Sequence, residues 1–91
     1  MSTSTIQPRE ETQSATVWPG ESLIDFIIRH AGLTPREFEI LGELRTHRSR
    51  KEIAGALNCS VRVVAFHASR IYMKFQVRDR LGLLKLVGFK P

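Results

Sequence analysis

The stretch SRKEIAGALNCSVRVVAFHASRIYMKF, residues 49–75, decides the fold of this chain. It opens with Ser49 and, three residues later, Glu52. This is the spacing of a capping box, in which the two side chains satisfy free backbone N–H groups at a helix start. Apolar residues then recur on one helix face, at Ile53, Ala54 and Leu57. The pattern predicts a short helix that ends near residues 58–59.

A second, longer helix is predicted after a tight turn. Ser60 is a favourable N-cap residue for it. The apolar residues that follow lie on one face, at Val64, Ala68, Ile71 and Phe75. A short helix, a tight turn and a longer helix form a helix-turn-helix, although the same pattern also fits a helical bundle that binds no nucleic acid. The small side chain of Ala54 fits such a pair, because the two helices must approach closely there.

Three more helices are predicted, and no strand. The residues Thr34-Pro35-Arg36-Glu37 place a cap, then a proline at the first helical position and an acid at the third. The helix that they open carries an apolar stripe, namely Phe38, Leu41 and Leu44, with Ile40 beside it. An earlier helix starts after Ser22 and ends at Gly32, a residue typical of helix ends.

The last predicted helix, residues 80–87, has apolar residues around nearly its whole circumference. We place three of them inward, namely Leu81, Leu84 and Val87. This leaves Leu83 and Leu86 outward, and an exposed apolar pair is typical of an interface. The alternative is that the helix in residues 21–32 covers these leucines within one chain.

The chain therefore divides into three segments of an all-α protein. Residues 1–20 are rich in Ser, Thr, Gln and Glu and show no helix or strand period, which predicts a disordered arm. Trp18 is expected to anchor this arm on the core. Residues 21–32 form an additional helix, and residues 33–91 form the helix-turn-helix domain.

The charges of the chain are distributed unevenly. Residues 1–44 contain three basic and seven acidic residues, a net charge of −4, whereas residues 45–91 contain eleven basic and two acidic residues, a net charge of +9. A basic half of this kind favours an anionic partner, most simply nucleic acid. A solvated basic surface without a partner is the alternative.

Several classes of protein lack support in the sequence. One cysteine excludes an internal disulfide framework and fits a reducing cytosol. No apolar run approaches the roughly 18 residues that span a bilayer, and no signal peptide is apparent, so we predict a cytoplasmic protein of the nucleoid. The three histidines and Cys59 have no metal-ligand spacing, and no nucleophile–base pattern or phosphate loop is found. We therefore predict no enzyme, no metal and no cofactor.

Several separated blocks of residues 33–88 fall in one register and resemble the LuxR/FixJ, or GerE-type, DNA-binding domain. The blocks are Leu33-Thr34-Pro35-Arg36-Glu37, Ile40-Leu41, Lys51-Glu52-Ile53-Ala54, Leu57, Ser60, Val64, His67, Ile71, Lys74, Val77 and Arg80. The resemblance implies a four-helix domain whose third helix, residues 61–75, enters the major groove and whose fourth helix forms a dimer surface. Residues 1–32 are too short for the receiver or signal-binding domain that usually accompanies it, so we expect the stand-alone form.

The candidate DNA-binding residues follow from this resemblance and from the basic residues around it: Arg48, Arg50, Lys51, Arg62, Ala65, Phe66, Ser69, Arg70 and Lys74. Where the family usually has Lys, this chain has Ala65, and Phe66 follows it. Two interpretations stay open for these positions. Ala65 and Phe66 contact thymine methyl groups in DNA, or the same face contacts a protein.

The predicted function is sequence-specific regulation of transcription by a homodimer. Its dimer surface would contain Leu83, Leu86 and Val87, and a two-fold dimer predicts a palindromic operator in double-stranded DNA. The alternative is an interaction protein of the same fold, whose partner is a larger regulator or RNA polymerase and whose specific DNA binding is weak or absent.

Overall fold

The computed structural model describes residues 17–91. They form five helices: α1 (Leu23–Arg29), α2 (Pro35–Leu44), α3 (Arg50–Ala56), α4 (Val61–Phe75) and α5 (Arg80–Val87). Within this part of the chain there is no strand, so the predicted all-α class is confirmed. No helix in it is both long enough and apolar enough to cross a membrane.

Both predicted capping boxes are present. The backbone N–H of Thr34 donates to Glu37 Oε1 at 3.0 Å, and the N–H of Glu37 donates back to Thr34 Oγ1 at 3.1 Å. Ser49 and Glu52 make the same exchange at 2.8 Å and 3.1 Å. Since each exchange satisfies two otherwise unpaired donors, these boxes set where α2 and α3 begin.

The core lies where α2 and α3 pack against α4. The inward face of α4 is buried as predicted, with Val64, Ala68, Ile71 and Phe75 all in the core. The turn between α3 and α4 closes through a hydrogen bond from Cys59 N–H to the Ala54 carbonyl at 2.9 Å. Asn58 supplies the left-handed backbone conformation of this turn, with φ of 56°, a conformation that Asn tolerates better than most residues.

Helix α5 is rotated about its axis relative to the prediction, and the predicted orientation of two leucines was wrong. Leu83 is 0% exposed and lies in the core with Val87, whereas Leu81 is 62% exposed. The reason is that α5 packs against both α1 and α4, and these contacts select one apolar face of the several that the helix offers. Leu86 is exposed, as predicted.

Two other apolar side chains are also more exposed than their spacing suggests. Phe38 was expected in the buried stripe of α2 but is exposed, and Leu23 on α1 is exposed as well. The core side of α2 is formed by Ile40, Leu41 and Leu44 instead. In α1 only Ile28 is fully buried.

The residues before α1 are attached to it by one ion pair and one stacking contact. The Arg29 guanidinium donates to both carboxylate oxygens of Glu21, at 2.8 and 2.9 Å, and lies 3.6 Å from the centre of the Trp18 ring. Trp18 is itself exposed, so it is held by Arg29 rather than by the core. Of the predicted arm, residues 17–20 therefore have a defined conformation, and residues 1–16 lie outside the described part of the chain.

Two arginines connect the C-terminal region to the end of α2. Arg80 donates to the carbonyl oxygens of Leu44 and Thr46 at 3.0 and 2.8 Å. Arg45 donates to those of Val87 and Gly88 at 3.2 and 3.0 Å. Both guanidinium groups therefore satisfy carbonyls at helix ends, and this accounts for two cations of the basic half without any partner molecule.

Candidate nucleic-acid interface

The outward face of α4 carries four exposed side chains in one row. Arg62, Phe66, Ser69 and Met73 stand at positions i, i+4, i+7 and i+11 and are all exposed. The buried side of the same helix consists of residues 64, 68, 71, 72 and 75. Because side chains three and four positions apart share a face, core packing alone turns this row toward solvent.

Phe66 is the large apolar side chain in the first half of this row. It is 59% exposed. Its ring lies edge-on to the imidazole of His67, with 5.4 Å between the ring centres, and the Arg70 guanidinium lies 5.8 Å from its centre. Both neighbours lie beside the ring, while Ala65 next to it is half-buried.

Glu37 on α2 holds two of the predicted DNA-binding cations. Its side chain is 2% exposed and accepts hydrogen bonds from Arg70 Nε at 3.1 Å and from Lys74 Nζ. Lys74 also donates to the Gly32 carbonyl at 2.9 Å. The bonds from Lys74 and from the Thr34 backbone lower the pKa of Glu37 to about 2, so its carboxylate is charged at neutral pH.

This role of Glu37 was missed in the sequence. The pattern Thr34-Pro35-Arg36-Glu37 explains the residue fully as the acid of a capping box, and the carboxylate does make that bond. Its second and third hydrogen bonds come from Arg70 and Lys74, which are separated from it by 33 and 37 positions in the sequence. No local spacing indicates a contact over that distance.

The first turn of α3 carries a second group of predicted cations. Arg48, Arg50 and Lys51 are all exposed. Arg48 pairs with Glu43 at 2.8 Å, whereas Arg50 and Lys51 make no ion pair within residues 17–91. The neighbouring acid, Glu52, is engaged in its capping box, and those bonds to Ser49 lower its pKa. Arg50 and Lys51 are therefore available to a polyanion.

The predicted residues consequently fall on two packed helices. Arg62, Phe66, Ser69 and Arg70 lie on the exposed side of α4. Arg48, Arg50 and Lys51 lie at the start of α3. Lys74 is half-buried against α2 through Glu37. Of the three predicted dimer residues, Leu86 is exposed, but Leu83 and Val87 are core residues of the single chain.

Two polar atoms near this face are buried without a hydrogen-bond partner among residues 17–91: His67 Nδ1 and Tyr72 OH. Tyr72 lies against the core, and His67 is half-buried. Among the same residues no group of three His, Cys, Asp or Glu side chains is placed to hold a metal ion. The chemistry available on this surface is therefore that of cations, one hydroxyl and apolar side chains.

Comparison with known proteins identifies the domain. The GerE family, described as bacterial regulatory proteins of the luxR family, matches residues 31–87. A probable transcriptional regulator, ycf29 of Cyanophora paradoxa, is 38% identical over 52 residues, which are 57% of this chain and 25% of that protein. The uncharacterized transcriptional regulatory protein YhcZ of Bacillus subtilis is 44% identical over 48 residues, 53% of this chain and 22% of that protein.

A third relative aligns over a longer part of the chain. The HTH-type transcriptional regulator MalT of Klebsiella pneumoniae is 31% identical over 70 residues, 69% of this chain but 8% of that protein. The chain thus spans a quarter or less of these relatives. No solved structure gives a significant match. The family match covers more than half of the chain and includes all of α2 to α5, and the chain therefore belongs to the luxR family of bacterial regulatory proteins.

Proposed function

We propose that this chain is a sequence-specific DNA-binding regulator of transcription that inserts α4 into the major groove. The observation that carries the proposal is the charge of the two exposed surfaces just described. Helix α4 contains no acidic residue, and the first turn of α3 presents Arg50 and Lys51 without an ion pair among residues 17–91. The one acid of that turn, Glu52, is engaged in its capping box, so the cations of both surfaces suit the phosphate backbone.

The roles of the two helices differ in this proposal. Arg48, Arg50 and Lys51 bind phosphate oxygens and fix the position of the domain on the duplex. The exposed row of α4, which begins at Arg62, meets the base edges, since the major groove is wide enough to admit one helix. The transcriptional regulators among the relatives support this assignment.

We also propose a homodimer on a palindromic operator, with an interface that differs from the sequence-based one. Leu83 and Val87 are core residues, so the outward side of α5 consists of Leu81 and Lys85, with Leu86 at its flank. Exposed leucines of this kind favour association. A two-fold dimer would bind half-sites about one DNA turn apart.

A second candidate function has one observation in its favour. Phe66 and Met73 are two large exposed apolar side chains in the same row, and such residues also occur in protein interfaces. In that case the outward face of α4 would bind a larger regulator or RNA polymerase, and DNA binding would be weak and unselective.

The two functions are separated by selecting DNA from a random library with the purified protein at physiological salt. Enrichment of one motif is the expected result. Arg62→Ala should abolish the enrichment, and Lys90→Ala, which removes an exposed cation beyond the end of α5, should not. If the wild-type protein retains DNA only weakly and without a motif, the regulator proposal is wrong and the interaction function replaces it.

A further inference from the structure

The middle of the outward row of α4 has few hydrogen-bond donors for base edges. A side chain reads guanine or adenine best through two parallel hydrogen bonds, which Arg, Lys, Asn or Gln supply. The two cations in the C-terminal half of α4, Arg70 and Lys74, are already hydrogen-bonded to the Glu37 carboxylate. The exposed residues between Arg62 and Arg70 are Val63, Phe66 and Ser69, and Ala65 and His67 are half-buried.

Phe66 stands where a base contact is expected for a helix of this kind. It is the sixth residue of α4 and is exposed. In a helix-turn-helix the N-terminal part of the second helix contacts the base edges. Met73, at 75% exposure, is equally apolar and more exposed, but it is the thirteenth residue, near the opposite end.

We propose that Phe66 determines the operator preference by packing on the C5-methyl group of a thymine in each half-site. This inference rests on the proposed DNA-binding function. The thymine methyl is the one apolar group on the major-groove edges of the four bases, so an apolar side chain distinguishes thymine there without any hydrogen bond. Glu37 is a positioning residue for this contact, because it holds Arg70 beside the Phe66 ring.

The flanking groups favour this contact over a protein contact at the same position. Two side chains that carry no negative charge, His67 and Arg70, lie beside the Phe66 ring. The surroundings are cationic, with Arg62 one turn before it and Arg70 one turn after it. A protein that covered this ring would need acidic groups around an apolar centre to match these cations. Any DNA duplex already supplies the negative charge through its phosphates.

The test replaces single thymines by deoxyuridine in the motif that the selection experiment yields. This substitution removes only the methyl group and leaves every hydrogen bond of the base pair. For the wild-type protein we expect one position in each half-site to weaken binding by roughly fourfold, the effect of exposing one buried methyl-sized group. Binding should be measured by titration of labelled duplex at constant salt.

Two variants test whether Phe66 is the residue that contacts the thymine methyl group. With Phe66→Ala the deoxyuridine substitution at that position should have no further effect, because the side chain that contacts the methyl is gone. With Met73→Ala, the matched loss of an exposed apolar side chain on the same helix, the fourfold effect should persist. Both residues are exposed, so circular dichroism should show that both variants fold.

The outcomes distinguish failure of this inference from failure of the proposed function. A motif without a thymine at a constant position, or with no position sensitive to deoxyuridine, overturns the thymine contact and leaves the regulator intact. Sensitivity that survives Phe66→Ala assigns the contact to another residue and also overturns the inference. Absence of any motif overturns the function itself, and the thymine contact with it.

Discussion

Helices α4 and α5 have the same inward chemistry and different outward chemistry. Each buries an aliphatic row, residues 64, 68 and 71 in α4 and residues 83 and 87 in α5, and both rows belong to one core. Outward, α4 presents Arg62, Phe66 and Ser69 without a carboxylate, and α5 presents Leu81, Lys85 and Leu86. The inward sides therefore set stability, and the outward sides are free to differ in the partner that we propose for each, DNA for α4 and a second copy of the chain for α5.

The two sides of α4 are nevertheless linked by one residue of another helix. Glu37 is buried with the core, but of the two groups bonded to it Arg70 is exposed and Lys74 is half-buried at the edge of the outward side. From its buried position Glu37 therefore orients Arg70 and Lys74. Substitutions on the inward side, on the outward side and at Glu37 test whether inward residues set stability and outward residues set binding.

The largest effect is expected from placing a charge on the inward side of α5. Leu83→Glu removes a fully buried aliphatic side chain and buries an unpaired carboxylate. We expect a loss of about 4–5 kcal/mol in the free energy of unfolding, comparable with the total stability of a small domain. Leu86→Glu, the matched change on the outward side, removes no core residue and should lower the midpoint of a urea titration far less than Leu83→Glu does. Equal destabilisation of both variants would contradict the orientation of α5.

The second-largest effect on the free energy of unfolding is expected at Glu37, the residue that links the two sides of α4. Glu37→Gln keeps an oxygen acceptor for the Thr34 N–H but removes the charge that Arg70 and Lys74 share. We expect a loss of about 1–3 kcal/mol at pH 7. Since the pKa of Glu37 in the folded chain is about 2, below its ordinary value of 4.5, its stabilising contribution is complete above about pH 5 and is lost as the pH falls toward 2.

Denaturant titrations at several pH values measure this effect. The stability difference between wild type and Glu37→Gln should shrink steadily from pH 5 to pH 2. Glu21, whose pKa is also lowered to about 2 by its bond to Arg29, is present in both proteins, so its own titration does not affect the difference. A difference that is independent of pH would show that the Glu37 charge does not stabilise the fold.

A smaller effect is expected at the start of α3, on the outward side. Lys51→Ala should leave stability within about 0.5 kcal/mol of wild type, because the side chain is exposed and makes no ion pair in the described chain. It should weaken binding to all duplexes alike and reduce the slope of log affinity against log salt by about one unit. Lys90→Ala, which removes an exposed cation beyond the end of α5, serves as the control and should leave the slope unchanged.

The smallest effect is expected at Gln76, the residue that caps the C-terminal end of α4 and belongs to neither its inward nor its outward side. Gln76 has φ of 58°, in the left-handed region that a side chain disfavours. Gln76→Gly should therefore stabilise the domain by about 0.5–1 kcal/mol, measured as a higher midpoint of thermal unfolding. Gln76→Ala, which keeps a Cβ atom at the same position, should give no such gain.

The sequence by itself determined the elements and the orientation of α4. Capping boxes at residues 34–37 and 49–52 are local chemistry, so the starts of α2 and α3 could be predicted from four residues each. In α4 apolar and polar residues alternate at helical spacing, and this leaves one face for the core. The family could be recognised for the same reason, since its blocks lie in the elements that such local patterns define.

Only the tertiary structure decided the orientation of α5, the exposure of Phe38 and the partners of Glu37. In α5 apolar residues surround the helix, so its spacing fits several orientations, and packing against α1 and α4 selected the one that buries Leu83. Phe38 is exposed, and other residues of α2 form the core side instead. Glu37 meets Arg70 and Lys74 across more than thirty residues. Contacts of that kind depend on how whole helices pack, and helical periodicity within one segment carries no information about them.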